Sequence, residues 1–286
     1  MGGEHFVRAS DGTNLFYKSS GLGSRSLILC DGLACDGHIW KYLFPKLEQE
    51  FSVLHWHYPG HGRSGEPPRF SDLSPSRLGD DMASVARSAS VTRATIVGHS
   101  MGVQVALETW RRHPDLVQAL ILVCGSPGNI IHNFHEGPIL GLVVPILNVV
   151  GRFLPNLLAS TWQRMPAHSL AWLAMHTSEI NSRHLGHSDL APYFRGLSRV
   201  DFRLALKMLE SSGRHDATPY LKKIDVPVLI IAGGDDRFTP ASRSKMMAGN
   251  ISGSEMLMVE GGTHALPLEQ PDIVVLRMKK FLAQLA

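Results

Sequence analysis

"VGHSMG", residues 97–102, sets Ser100 between Gly98 and Gly102. "ATIV" runs into it and "VQVALETWRR" runs out of it. With 27 glycines in 286 residues, a G-x-S-x-G arises by chance about 0.2 times, so the neighbours must decide its meaning. The run before it is short and β-branched. The run after it alternates at helical spacing, with Val103, Val105, Ala106, Leu107 and Trp110 apolar against Gln104, Glu108, Arg111 and Arg112. The stretch therefore reads as strand, sharp turn, helix. Such a turn strains the serine backbone, and side chains two residues to either side would collide, which is why both flanking positions are glycine. The Ser100 hydroxyl is expected above the carboxyl edge of a sheet, with the free N–H groups of a helix behind it.

The same strand–helix rhythm extends outward. "HFVRA" and "NLFYKS", joined by Ser10–Thr13, read as a hairpin. Near-continuous apolar strands are expected at 26–30, 51–56, 94–98, 119–124, 227–233 and 255–260, the pattern of a parallel sheet covered on both faces. Helices are expected at 38–49, 76–89, 101–112, 240–248 and 268–284. Alternating β and α predicts an α/β fold with a mostly parallel, doubly wound sheet. The rhythm breaks once, between 124 and 227, where helical segments occur without a convincing strand. A connection that long is usually functional, often a lid. The expected organisation is a core of 1–125 plus 216–286 with a helical cap at 126–215.

Composition removes several classes of function. Hydrophobic residues at 44% and charged residues at 19% fit a soluble globular chain, and a net charge of +3 is no nucleic-acid footprint. The basic pieces "WRRH" and "MKKF" read as solvated helix faces. Cys30, Cys35 and Cys124 form no C-x-x-C pair and are odd in number, as in a reducing compartment, and "MGGEHFVRASDG" has no apolar run, so no secretory signal is expected. A cytoplasmic location is expected. The most apolar stretch, 137–159, is interrupted by Pro138, Pro145, Arg152 and Pro155, so an integral membrane span is not expected and a bent helical hairpin is.

A serine hydroxyl needs a base to become a nucleophile. "EMLMVEGGTHALPLEQP" places His264 in a glycine-rich loop after the last strand, and "PVLIIAGGDDRFTP" places Asp235 and Asp236 after the strand before it. Ser, Asp, His is the chain order of a nucleophile-elbow hydrolase. The pairs His132/His135 and His184/His187 lack a recognised zinc spacing and read as surface or cap residues, so no metal is expected. No G-x-G-x-x-G follows a strand and no P-loop occurs, so no nucleotide cofactor, nor any other, is expected.

Four motifs together resemble the α/β-hydrolase superfamily, in its capped esterase, haloperoxidase and C–C hydrolase branch. "HYPGHGRSG" (57–65) is similar to the family's D-x-x-G-x-G-x-S turn and "GHSMG" to its elbow. "GGDDRFTP" and "GGTHALPLEQP" are similar to its acid and histidine loops. The resemblance implies a triad of Ser100, His264 and Asp236, with Asp235 as the alternative acid. It implies oxyanion-hole amides on Leu33 and Met101. A serine nucleophile argues against haloalkane dehalogenase and epoxide hydrolase chemistry. "CDGLACDG" departs from the family where His-Gly-x is usual, putting Asp31 before the hole glycine. Either that carboxylate bonds the loop's own amides, or it faces the hole and repels an oxyanion. His57, where the family commonly has aspartate, is expected only to alter packing. Cys35 lacks an elbow and reads as a small loop residue. In the cap, residues 137–159 with Trp162, Met165, Leu170, Trp172, Leu173 and Met175 could line an apolar pocket or form cap core. A small hydrophobic carboxylic ester is the expected substrate. Thioesters, lactones, C–C bonds beta to a carbonyl and perhydrolysis use the same machinery. A small-ligand receptor on the same scaffold is the reading from another class, and the apolar cap face could also rest on a membrane or a partner.

Overall fold

The computed structural model describes residues 2–68, 72–128, 130, 137, 139–164 and 185–285. Among them, eight strands form one sheet: β1 (Gly3–Arg8), β2 (Asn14–Ser20), β3 (Ser26–Cys30), β4 (Ser52–Trp56), β5 (Ala94–His99), β6 (Val117–Val123), β7 (Val228–Gly233) and β8 (Glu255–Val259). Their order is β1-β2-β4-β3-β5-β6-β7-β8. From β4 to β8 every pairing is parallel, while the β1–β2 hairpin is antiparallel within itself and against β4. The expected mostly parallel, doubly wound sheet is therefore present. Every residue of β5 and β7 is buried, as continuous apolar strands require.

Around the sheet lie α1 (Phe44–Leu47), α2 (Pro75–Ser88), α3 (Met101–Arg112), α4 (Ile139–Phe153), α5 (Pro155–Arg164), α6 (His187–Arg199), α7 (Phe202–Arg214), α8 (Ala241–Asn250), α9 (Leu266–Glu269) and α10 (Pro271–Ala283). Two expected helices are broken, each by a proline. The run 38–49 is a 3₁₀ turn, His38–Trp40, followed by α1. Pro45 has no N–H to give to the carbonyl of residue 41, which disfavours a continuous helix there and suits the proline to the first turn of α1. The run 268–284 splits at Gln270 (φ −135°, ψ 58°), which the ring of Pro271 excludes from helical geometry.

The strand order reverses between β3 and β5, because the chain first builds outward to β4 and then returns to the other side of β3. Ligands of open α/β sheets sit at the carboxyl ends flanking such a reversal. Here those ends are Cys30, leading into Asp31–Leu33, and His99, leading into Ser100. Between β6 and β7 the chain carries α4 to α7. An isolated antiparallel bridge between Gly128 and Asp216, and a hydrogen bond from the Ala217 amide to Pro127 O (2.9 Å), tie the two ends of this insertion together. Gln104 of α3 donates to Ser212 O of α7 (2.9 Å), fastening the insertion to the helix behind the elbow.

Candidate active site

Ser100 is buried and holds φ 56°, ψ −120°, backbone angles that an L-residue adopts only when its surroundings impose them. Its amide donates to Val123 O (3.1 Å), continuing the ladder with β6, and its carbonyl accepts from Val103 N (3.0 Å), which starts α3. The glycines are explained by distance. A Cβ at Gly98 would lie 2.3 Å from Gly102 O, and one at Gly102 would lie 2.3 Å from Cys30 O. Both clashes are with backbone, which no side-chain rotation relieves.

His264 meets Ser100 and Asp236 at once: Nε2 is 2.9 Å from Ser100 Oγ and Nδ1 is 3.0 Å from Asp236 Oδ2. Asp236, not Asp235, faces the imidazole. Asp235 is exposed, and its amide donates to Gly262 O (2.9 Å). Thr239, which sequence reasoning passed over, grips Asp236 twice: its amide donates to Oδ1 and its hydroxyl to Oδ2, both at 2.8 Å. The spacing D-x-x-T, an Asx-type turn, was the available signal. With one face of the carboxylate fixed by Thr239, the remaining lone pair points at Nδ1–H. The Nε2 lone pair is then left to accept the Ser100 proton.

Two further groups place the imidazole. The Phe238 ring stacks on it, centroids 4.6 Å apart. His99 Nε2 donates to the carbonyl of His264 (2.9 Å), and burial, then the neighbouring His264, pushes the His99 pKa down to about 3. His99 is thus a neutral, fixed donor under the catalytic-type histidine. The loop is closed by Glu269, whose carboxylate accepts from Thr263 N (2.8 Å) and Thr263 Oγ1 (2.5 Å).

On the other side of Ser100, the Gly32 Cα faces the nucleophile: a Cβ there would stand 3.1 Å from Ser100 Cβ. Leu33 follows, half-buried, and Met101 is the first residue of α3, where an N–H has no acceptor within the helix. Asp31 does not bond the loop amides, as one of the two sequence readings had it. Its Oδ2 pairs with His55 Nε2 on β4 (2.9 Å), and its carbonyl accepts from Tyr58 Oη–H (2.6 Å). Burial raises the Asp31 pKa, but the charge and hydrogen bond of His55 outweigh it and hold the carboxyl below its usual range.

The remaining candidates lie elsewhere. Burial pushes the Cys35 thiol far up, away from a reactive thiolate. His57 accepts from Arg63 N (2.9 Å) and packs on Phe16, and burial and His55 lower its pKa to about 4. Trp162 uses its indole N–H on the carbonyls of Leu197 (3.0 Å) and Val200 (2.9 Å), closing the end of α6. Met165, Leu170, Trp172, Leu173, Met175, His132, His135 and His184 lie outside the described residues. Among those described, no three His, Cys, Asp or Glu side chains converge as a metal set. No single helix there is long and apolar enough to cross a membrane.

Comparison with known proteins agrees with the fold. The sequence model of the family described as "alpha/beta hydrolase fold" matches residues 25–271. A pimeloyl-[acyl-carrier protein] methyl ester esterase of Neisseria meningitidis is 29% identical over 84% of this chain and 87% of its own. An Agrobacterium fabrum protein whose name proposes a carbamate hydrolase, RutD, is 24% identical over 90% and 92%. The enol-lactonase of Burkholderia xenovorans superposes with a TM-score of 0.79 at 19% identity, over 98% of this chain and 100% of that one.

Proposed function

From the premise that the chain belongs to the alpha/beta hydrolase fold family and is a hydrolase of that fold, we propose that it cleaves carboxylic esters with apolar substituents through an acyl-enzyme on Ser100. The observation that carries this reading is the continuous hydrogen-bond line from Ser100 Oγ through His264 to Asp236, at 2.9 and 3.0 Å. In the first half-reaction His264 Nε2 takes the Ser100 proton as Oγ attacks the ester carbonyl. Asp236 holds the imidazole tautomer and stabilises the imidazolium without itself taking the proton. The amides of Leu33 and Met101 receive the developing oxyanion, each worth roughly 10²–10³ in rate. His264 then protonates the departing alcohol. In the second half-reaction it activates water to release the acid and regenerate Ser100.

On this reading Asp31 serves the loop through its hydrogen bond to His55. The Phe238 ring against His264 supplies an apolar wall suited to an uncharged substituent. The name of the Neisseria relative supports an ester as the bond broken. We further assign residues 1–125 and 216–286 to the hydrolase core and 126–215 to a helical cap over it, a division supported by the bridge at Gly128 and Asp216.

The test is burst and steady-state hydrolysis of p-nitrophenyl esters, short to long acyl, by wild type and Ser100→Ala. A rate at least ~10³-fold above that of the alanine variant is expected. Equal rates for the two proteins on every ester would overturn the proposal.

A further inference from the structure

The helical hairpin α4–α5 carries an apolar stripe that is uncovered among the described residues. Leu142, Ile146, Val149 and Phe153 recur at four, three and four residues, one face of α4, and are 67%, 61%, 57% and 74% exposed. Leu154 and Leu157 carry the stripe around the bend into α5 and are also exposed. The opposite face of α4 is already used: Val144 is buried, Gly151 lies against Phe202 of α7, and Asn148 bonds Glu210. The stripe is therefore a second apolar face, not a core face turned outward. A soluble chain seldom leaves so contiguous a patch in water.

Charge selects the occupant. Between 139 and 164 the sequence has no aspartate or glutamate, and its only charges are Arg152 and Arg164, both exposed. In a helix, Arg152 lies about 100° round from the stripe's centre, on its flank. Two copies meeting through this face about a twofold axis would offer the hairpin's arginines no hairpin carboxylate to pair with. An anionic lipid surface answers both features, since acyl chains cover the stripe and headgroups meet the arginines. The geometry favours lying flat over spanning: α4 and α5 are bent by 117° at Leu154, and neither is long enough to cross a bilayer.

We propose that α4 and α5 dock the protein peripherally on anionic membranes, stripe inward and Arg152 and Arg164 at headgroup level. This stands apart from the Ser100 chemistry, so a failure of either leaves the other to its own test. The experiment is flotation of the full chain with vesicles of phosphatidylcholine alone and of phosphatidylcholine with phosphatidylglycerol. Binding to the anionic vesicles is expected, weakened by salt. It should fall at least ~10-fold in Ile146→Ser/Phe153→Ser and several-fold in Arg152→Gln/Arg164→Gln, with thermal midpoints and soluble-ester turnover unchanged. The proposal is overturned by wild type that floats with neither vesicle, or by binding that the stripe variant retains. It is also overturned if light scattering shows a wild-type dimer that the stripe variant converts to monomer, which would give the face to a second copy.

Discussion

Asp31 and His55 are joined across the neighbouring parallel strands β3 and β4 by a 2.9 Å hydrogen bond, with both side chains buried. The register explains the meeting. Leu29 is paired with His55, and Asp31 lies two residues beyond Leu29, on the same face of the sheet. Tyr58 holds the carbonyl of the same residue. The stretch leading to Gly32 and Leu33 is thereby anchored at side chain and backbone together.

Removing one partner strands the other. His55→Ala is expected to cost about 3 kcal/mol in urea unfolding, because a buried carboxylate is left without its hydrogen-bond donor. The sign with pH follows from the lowered Asp31 pKa. A carboxyl that ionises more readily folded than unfolded contributes its full stability above the unfolded value, about 3.9, and loses it as pH falls through the folded one. Wild type should lose more stability than Asp31→Asn on going from about pH 6 to pH 3. Parallel urea curves at several pH values check this, and identical acid slopes would remove the Asp31 carboxylate from the account.

The two adjacent aspartates should separate cleanly. Asp236→Asn keeps the shape but offers His264 an amide, and kcat is expected to fall by about 10³–10⁴. Asp235→Asn alters only an exposed side chain and should leave kcat and KM close to wild type. Thr239→Val removes the hydroxyl from Asp236 Oδ2 while the amide bond to Oδ1 persists. A loss near one hydrogen bond, about tenfold in kcat, is expected with KM little changed. Steady-state kinetics on one soluble ester decides all three.

What the sequence revealed and what it hid divide along physical lines. Periodicity within an element was readable, so the eight strands and the strand–turn–helix around Ser100 could be placed from residue types alone. Helix interruption was encoded in Pro45 and Pro271 but outweighed by the apolar pattern around them. Apart from the meeting of Ser100, His264 and Asp236 that the motifs implied, contacts between elements were not readable. A histidine inside "SVLHW" looks like strand core until the register sets it beside Asp31, and Thr239 looks like a loop residue until it turns back on Asp236. The stripe of α4 was hidden for the same reason, since apolar spacing marks a face without saying whether anything covers it.

The elbow glycines make a severe stability prediction. Gly102→Ala puts a methyl 2.3 Å from Cys30 O and 2.7 Å from Asp31 O, and Gly98→Ala puts one against the Gly102 carbonyl. Backbone on both sides must move, so a loss of about 3 kcal/mol or more is expected for either. In a chain of this size that lowers the thermal midpoint by roughly 6 °C or more. A native midpoint for Gly102→Ala would show that the turn has room that this geometry denies.

Glu108 is the buried hub between the two halves of the fold. Its carboxylate accepts from Ser76 of α2 (2.7 Å), Arg111 of its own helix (2.6 Å), His215 at the end of the insertion (3.0 Å) and Tyr220 just past it (2.6 Å). Burial alone would raise its pKa, but the bonds from His215, Arg111, Tyr220 and Ser76 overcome that and hold it far below the usual range. Glu108→Gln keeps the volume but turns an amide N–H toward groups that already donate. A loss of about 2–4 kcal/mol is expected. Because the folded carboxyl ionises more readily than the unfolded one, its contribution is complete above about pH 4.3 and fades below it. Wild type should therefore show a steeper acid transition than Glu108→Gln, with turnover of the folded protein at neutral pH retained in both. Thermal melts between about pH 7 and pH 3 measure it. Coincident curves for the two proteins would mean that His215 and Tyr220 hold the insertion's end without this charge.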